Sequence, residues 1–113
     1  MSYDTELANR VREELSQERG VREKAMFGGL AFLIGGHMAV AVSRQGGLMV
    51  RVPPAQTEEL LRRAHVSPMV MAGRETRGWL RVGDDGLKTK RQLIAWVTRG
   101  VDFAKSLTPK DEH

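Results

Sequence analysis

The sequence predicts a single α+β domain of two layers, in which a mostly antiparallel sheet packs on helices. Three observations predict this class. Apolar residues recur at helical spacing near both ends of the chain, alternating apolar residues separated by glycine turns occupy the middle, and long crossovers of the kind a parallel sheet needs are absent. The expected element order is α-β-β-β-α-β-β-α. We expect the 113 residues to form one domain over 1–108, followed by a flexible tail at 109–113.

An amphipathic helix of about four turns is predicted first. Its apolar positions are four residues apart and comprise Tyr3, Leu7, Val11 and Leu15. Ser2 or Asp4 is placed to cap its start, and Gly20 is placed to end it.

A three-stranded meander is predicted next, because apolar residues alternate over 30–34, 38–42 and 48–52. Gly35 and Gly36 form a two-residue hairpin turn, since glycine accepts positive φ. A looser turn over 43–47 joins the second and third strands. Proline at 53 and 54 ends the third strand because proline donates no ladder hydrogen bond.

The second half is predicted to hold a short helix over 54–64, an extended piece over 69–71, a polar turn over 73–78 and a strand over 79–82. Thr89 and Gln92 form a capping box at the start of the last helix. Gly100 lies on the apolar face of that helix, where we expect it to permit close approach to the sheet.

Composition limits the classes of protein. The absence of cysteine excludes disulfides and thiolate chemistry, and no apolar run reaches the roughly 20 residues of a membrane span. No signal peptide begins the sequence, so we expect a cytoplasmic protein that makes no membrane contact. The net charge of +4 is uneven, because residues 60–99 carry 9 basic and 3 acidic groups. This basic stretch favours an anionic partner.

Two segments resemble a known family. The run Met26-Phe27-Gly28-Gly29, followed by an apolar strand, and the later block containing Arg74, Gly78 and Trp79 are similar to motifs of the TfoX/Sxy family N-terminal domain. The resemblance covers residues 3–107. It implies an α+β fold of the secretion-chaperone-like kind, and an interaction or regulatory role, since the best-known members are positive regulators of competence genes. It carries over no catalytic residue, because the family is not an enzyme family.

The same resemblance implies a second, helical C-terminal domain in the best-known members. The sequence ends at His113, so we expect a stand-alone N-terminal domain.

The Met26–Gly29 run has two interpretations. Two glycines expose backbone N–H groups, which is typical of anion-binding turns. The residues that complete a P-loop or a dinucleotide motif are missing, however. The alternative is a bulge at the start of a strand, with Met26 and Phe27 packed on a helix.

One face of the sheet is predicted to remain uncovered. With Leu80 and Val82 assigned to the core, strand alternation assigns eight residues to the opposite face: Ala31, Leu33, Ala39, Ala41, Met49, Arg51, Trp79 and Arg81. Three interpretations are open. The face forms a homodimer interface, contacts nucleic acid together with Arg77, or is a partly exposed surface.

Basic residues also begin the last helix, where cations oppose the helix dipole. Lys88, Lys90 and Arg91 therefore either contact an anion or are solvated.

No catalytic, cofactor or metal site is predicted. Ser43, His37 and Asp84 supply the residue types of a triad without a nucleophile elbow, and no histidine pair has metal-ligand spacing. The sequence therefore predicts a non-enzymatic interaction or regulatory module. Direct nucleic-acid binding through residues 60–99 and a small enzyme with an unrecognised site are the alternatives.

Overall fold

The structure is a computed structural model that describes residues 3–26, 28–71 and 73–107. Three α-helices and six strands occur in it, together with short 3-10 turns at Pro54–Gln56 and Asp84–Gly86. In chain order they are α1 (Thr5–Glu14), β1 (Val21–Met26), β2 (Gly29–Ile34), β3 (His37–Val42), β4 (Leu48–Arg51), α2 (Thr57–Leu60), β5 (Val66–Met71), β6 (Arg74–Val82) and α3 (Lys90–Ser106). The predicted α+β class is confirmed, and the predicted elements follow one another in the predicted order.

The six strands form one antiparallel sheet in the order β1-β2-β3-β4-β6-β5. The last strand of the chain, β6, lies between β4 and β5, so the two edges of the sheet are β1 and β5. The Gly35-Gly36 hairpin between β2 and β3 is present, with φ of 61° and 82°.

Strand β1 is an addition to the predicted elements. It pairs with β2 along its whole length, from Val21 opposite Ile34 to Met26 opposite Gly29. Its four central residues are exposed. A strand that is exposed on both faces has no apolar alternation, so the period-2 signal of a half-buried strand is missing.

The core lies between one face of the sheet and the helices. All three helices contribute to a single buried cluster, α1 through Leu7, Ala8 and Val11, α2 through Leu60, and α3 through its apolar stripe. The sheet contributes Leu30, Phe32, Ile34, Val40, Val42, Leu48, Val50, Leu80 and Val82. Because strand side chains alternate between faces, their neighbours point away from the cluster. We call this second side of the sheet the outer face.

Ala39 corrects one assignment to the outer face. The pairing of β2 with β3 shifts between Phe32 and Leu33, which leaves Ala39 without a partner in the register. The bulge turns Ala39 into the core cluster, where it is fully buried. Gly100 of α3 packs directly on it, since a Cβ at position 100 would overlap the carbonyl oxygen of Ala39. The expected close approach of α3 to the sheet is therefore present.

Two predicted segments differ from the structure. Residues 74–78 are the first half of β6 rather than a polar turn, because Arg74 and Glu75 pair with the end of β5. The helix predicted over 54–64 consists of a 3-10 turn and the single turn of α2, and Ala64 is exposed. His65, at a φ of 68°, has a left-handed conformation that no helix continues through.

The starts of α1 and α3 follow the sequence closely, but α1 ends at Glu14 with Leu15 as its C-cap, well before Gly20, the residue predicted to end it. Asp4 caps α1 by accepting a hydrogen bond from the backbone N–H of Leu7 at 3.0 Å. Thr89 and Gln92 form the predicted capping box of α3, with distances of 2.9 and 3.0 Å. Ser2, Phe27 and the predicted tail at 109–113 lie outside the described residues. Within the described ranges, no helix is long and apolar enough to cross a membrane.

Candidate binding cleft

The outer face carries an open cleft of about 700 Å³. It lies where the β1–β2 turn, the β3–β4 loop and strand β5 approach one another. Its lining combines methionines, two arginines and small or polar groups: Met26, Gly29, Ser43, Arg44, Gln45, Met49, Pro68, Met69, Val70 and Arg81. A volume of this size falls within the range of ligand-binding pockets.

Two glycines of the family-like motif shape one wall of the cleft. Gly28 has a φ of 78°, and a Cβ there would lie 2.6 Å from Cδ of Arg44. Gly29 packs against the backbone of β3, where a Cβ would overlap the carbonyl oxygen of Val42. The motif therefore lets β2 begin against the end of β3 and lets the side chain of Arg44 lie across the turn. Met26, just before the turn, is half-buried and also lines the cleft.

One row of paired residues crosses the outer face from edge to edge. The register places side by side Lys24, Ala31, Ala41, Met49, Arg81 and Ser67. Ala31 and Ala41 at the centre of the row are buried, although they lie outside the core cluster. Next to them in the row, the larger side chains of Met49 and Arg81 line the cleft. The row therefore runs from small residues to a wall that combines apolar and cationic groups.

Arg81 is held in place by neutral acceptors. Its Nη1 donates to Oε1 of Gln45 at 2.5 Å, and its Nη2 donates to the carbonyl oxygen of Gly46 at 3.2 Å. Neither acceptor neutralises the guanidinium charge. Arg44 is exposed, and no carboxylate of the described residues pairs with either arginine. The cleft thus presents two uncompensated positive charges beside apolar walls.

Arg51 and Trp79, which were predicted as partner contacts, lie against each other, and Arg51 also lies against the helix layer. The guanidinium carbon of Arg51 lies 5.3 Å from the ring centroid of Trp79 and 5.3 Å from that of Phe103 in α3. Both residues are half-buried. The cation-π geometry links β4, β6 and α3, so Arg51 joins the sheet to the helix layer.

The other predicted contact residues do not join the cleft. Arg77 donates to the carbonyl oxygen of Pro54 at 3.1 Å and lies 4.0 Å from Glu58. Lys88 forms an ion pair of 3.1 Å with Asp85. These residues are exposed, as are Arg74, Lys90 and Arg91.

The start of α3 belongs to the helix layer. Nη2 of Arg10 in α1 donates to the carbonyl oxygen of Leu87 at 2.7 Å, which holds the segment before α3 against α1. Lys90 and Arg91 in the first turn of α3 therefore lie on the opposite side of the sheet from Arg44 and Arg81. The basic stretch at 60–99 divides between the two sides.

The structure does not bring the nominal triad together. His37 begins β3 and Ser43 follows its end, so a full strand separates them. Ser43 is buried, and its hydroxyl oxygen accepts from the backbone N–H of Gln45 at 3.1 Å. Asp84 accepts from the backbone N–H of Gly47 at 3.1 Å. Across residues 3–26, 28–71 and 73–107, no group of three or more potential ligands is placed to hold a metal.

Half of the cleft residues were not singled out by the sequence. Arg44 and Gln45 lie in a loop, while Pro68, Met69 and Val70 lie in an edge strand far along the chain. One compositional signal was present, since five of the six methionines fall between residues 26 and 71. Methionine clusters are typical of adaptable binding surfaces.

The protein is a small α+β domain with helices on one face of the sheet and an open cleft on the other. The family model described as the TfoX N-terminal domain matches residues 13–104, which is most of the chain. The chain therefore belongs to the TfoX N-terminal domain family, which confirms the resemblance in its motifs. This family is not a known enzyme family. No curated protein and no solved structure matches the sequence.

Proposed function

We propose that this protein is a non-enzymatic regulatory module that acts by binding a partner protein through the cleft on its outer face. The observation that carries the proposal is the composition of the cleft: three methionines and two unpaired arginines around the family's glycine turn. By analogy with the competence regulators of its family, the process that it regulates is the expression of competence genes.

The residue types favour a protein partner. Methionine and arginine are enriched at protein interfaces, and methionine adapts its shape to different apolar partners. Val70 in the cleft is 58% exposed although it is a large apolar residue. Exposed apolar groups beside polar ones are typical of contact sites.

Nucleic acid is a weaker candidate partner. The charge that suggested it is divided, with Arg81 in the cleft while Lys88, Lys90 and Arg91 lie on the helix side. Phosphate-driven binding requires several cations along one surface. Binding to duplex DNA or RNA at low salt, lost on charge reversal at Lys90 and Arg91, would favour this alternative over the proposal.

Photo-crosslinking in the native host tests the proposal. A benzophenone amino acid at Val70 places the probe in the cleft, and the same amino acid at Ile94, which is 39% exposed on α3, is the matched control. We expect a discrete protein adduct from position 70 and none from position 94.

The captured protein is then purified and titrated against the chain and a Met49→Arg variant. Retained binding by the variant, or adducts only from position 94, contradicts the proposal. An adduct with the mass of two chains identifies a second copy as the partner, which is the homodimer expected as an alternative.

A further inference from the structure

All the charge that lines the cleft in the described structure is positive. Arg44 and Arg81 are its only charged lining residues within the described chain, and none of the lining is acidic. We propose that the cleft takes a segment of a partner protein in which carboxylate side chains stand among apolar ones. This inference rests on the proposed function and specifies the chemistry of the partner.

Arg81 is organised in advance for a carboxylate. An arginine side chain carries five N–H donors in a planar fork. Two of the hydrogen bonds of Arg81 go to Gln45 and Gly46, which fixes the orientation of the guanidinium. Because the guanidinium of Arg81 is already ordered, this arginine loses less side-chain entropy on binding a carboxylate through its remaining donors than a freely rotating arginine would.

The apolar part of the partner segment meets the methionines. Met26, Met49 and Met69 are half-buried on separate strands, and each leaves part of its side chain facing the cleft. A polar anion alone leaves this apolar surface in water. An apolar side chain beside a carboxylate covers the methionines and reaches an arginine at the same time.

Addition of a strand along β5, the edge strand that contributes Pro68, Met69 and Val70 to the cleft, is not the binding mode favoured here. The edge strand β5 contains Pro68, which has no N–H to donate to a new ladder. Proline at a sheet edge is a common means of preventing strand pairing. Side-chain contacts within the cleft therefore carry the interaction.

A second copy of the chain fits the cleft poorly. A twofold dimer places the same patch of each subunit against the other, so Arg44 and Arg81 of one subunit would lie against a lining whose only charged groups, among the described residues, are the same two arginines. With no acidic group in the described lining, this arrangement opposes like charges. Nucleic acid fits poorly as well, because no aromatic residue of the described lining is present to stack on a base.

Selection from a random peptide library displayed on phage tests the inference. The purified chain is the target, and enriched sequences are synthesised and titrated by fluorescence polarisation. We expect enriched peptides to combine Asp or Glu with aliphatic residues and to shift the methyl resonances of Met49 and Met69.

Charge reversal supplies the matched variants. Arg44→Glu removes no hydrogen bond of the described structure, and Arg81→Glu removes two, so the first keeps the test valid if the second is destabilised. We expect each to weaken binding by roughly tenfold or more. Arg91→Glu, exposed on the helix side, is expected to change the affinity by less than about twofold.

The outcomes separate the two proposals. Peptides that bind the cleft without any acidic preference overturn this inference and leave the proposed function standing. Enriched peptides that leave the Met49 and Met69 resonances unchanged, or a failure to enrich any peptide, contradict both. If light scattering shows that the native chain is a dimer and that Arg44→Glu is a monomer, the partner in the cleft is a second copy of the chain. This result overturns the inference.

Discussion

The backbone of Gly29 in β2 lies so close to the carbonyl oxygen of Val42 in β3 that a Cβ at position 29 would overlap it. Gly28 differs, because its hypothetical Cβ meets only the flexible side chain of Arg44, although its φ is 78°. We expect Gly29→Ala to lower the free energy of unfolding by about 3 kcal/mol, since backbone must move. Gly28→Ala should lower it by about 1–2 kcal/mol, the cost of the left-handed conformation.

Urea denaturation of the two alanine variants measures this difference. Each variant is the control for the other, because both add one methyl group to the same turn. Equal losses of stability, or a larger loss for Gly28→Ala, would show that the overlap with Val42 does not determine the role of the motif.

Gly100 supports a second prediction through its contact with β3. A Cβ at position 100 would overlap the carbonyl oxygen of Ala39 and lie 2.8 Å from Cγ1 of Val40. Alanine is favoured over glycine by about 1 kcal/mol within a helix, but here the clash outweighs that gain. We expect Gly100→Ala to lower the thermal midpoint by several degrees, roughly 4–8 °C for each kcal/mol lost.

Thr98→Ala is the matched control for Gly100→Ala. Thr98 is exposed on the same helix, and alanine there improves helix propensity without a new contact. An unchanged or raised midpoint is expected for the control. A raised midpoint for Gly100→Ala would mean that α3 is not in direct contact with the bulge at Ala39.

The elements that the sequence predicted are those with a local signal. Leu7 and Val11 in α1 recur at helical spacing, and Thr89 with Gln92 marks the start of α3 by residue type alone. Strand β1 has no such signal, because its central residues are exposed and its partner is β2.

The cleft was less predictable than the fold, because its residues are far apart in the sequence. Met26 and Met69 are 43 residues apart in the sequence and lie in the two opposite edge strands of the sheet, so they line one cleft only in the folded protein. Strand alternation placed Met49 and Arg81 on the outer face correctly. The bulge at Ala39 and the hydrogen bonds of Arg81 depend on pairing between strands, which no local pattern reports.

Arg51 supports a third prediction, that it is mainly a structural residue. Its guanidinium lies over the rings of both Trp79 and Phe103 at 5.3 Å. Cation-π contacts at partly exposed sites contribute about 0.5–1 kcal/mol each. We expect Arg51→Ala to lower the free energy of unfolding by about 1–2 kcal/mol, measured by urea denaturation.

Arg77→Ala is the control for Arg51→Ala. The Arg77 side chain is 64% exposed, and its pairing with Glu58 at 4.0 Å is of the surface kind that contributes little. We expect a change within about 0.5 kcal/mol. If Arg51→Ala were as mild as this control and yet abolished partner binding, Arg51 would be a contact residue rather than a link between sheet and helix.

The ion pair between α1 and β1 gives a prediction on pH. Nε and Nη2 of Arg12 donate to the two carboxylate oxygens of Glu23 at 2.7 and 2.8 Å, and these hydrogen bonds lower the pKa of Glu23 from its ordinary value of 4.5. A lowered folded-state pKa adds stability that is present above 4.5 and is lost as the pH falls through the folded-state value. Both side chains are more than one-third exposed, so we expect the contribution to be at most about 1 kcal/mol.

The prediction compares the native chain with Glu23→Gln by urea denaturation across a pH series. The native chain should be the more stable of the two at about pH 7, and the difference should shrink as the pH falls below 4.5 and through the lowered folded-state pKa, because the carboxylate is then protonated in both states. In an Arg12→Ala background, Glu23→Gln should have no pH-dependent effect, because the partner that lowers the pKa is gone. A difference that stays constant as the pH is lowered from about 7 to well below 4.5, or that survives in the Arg12→Ala background, would assign the effect of Glu23 to something other than this ion pair.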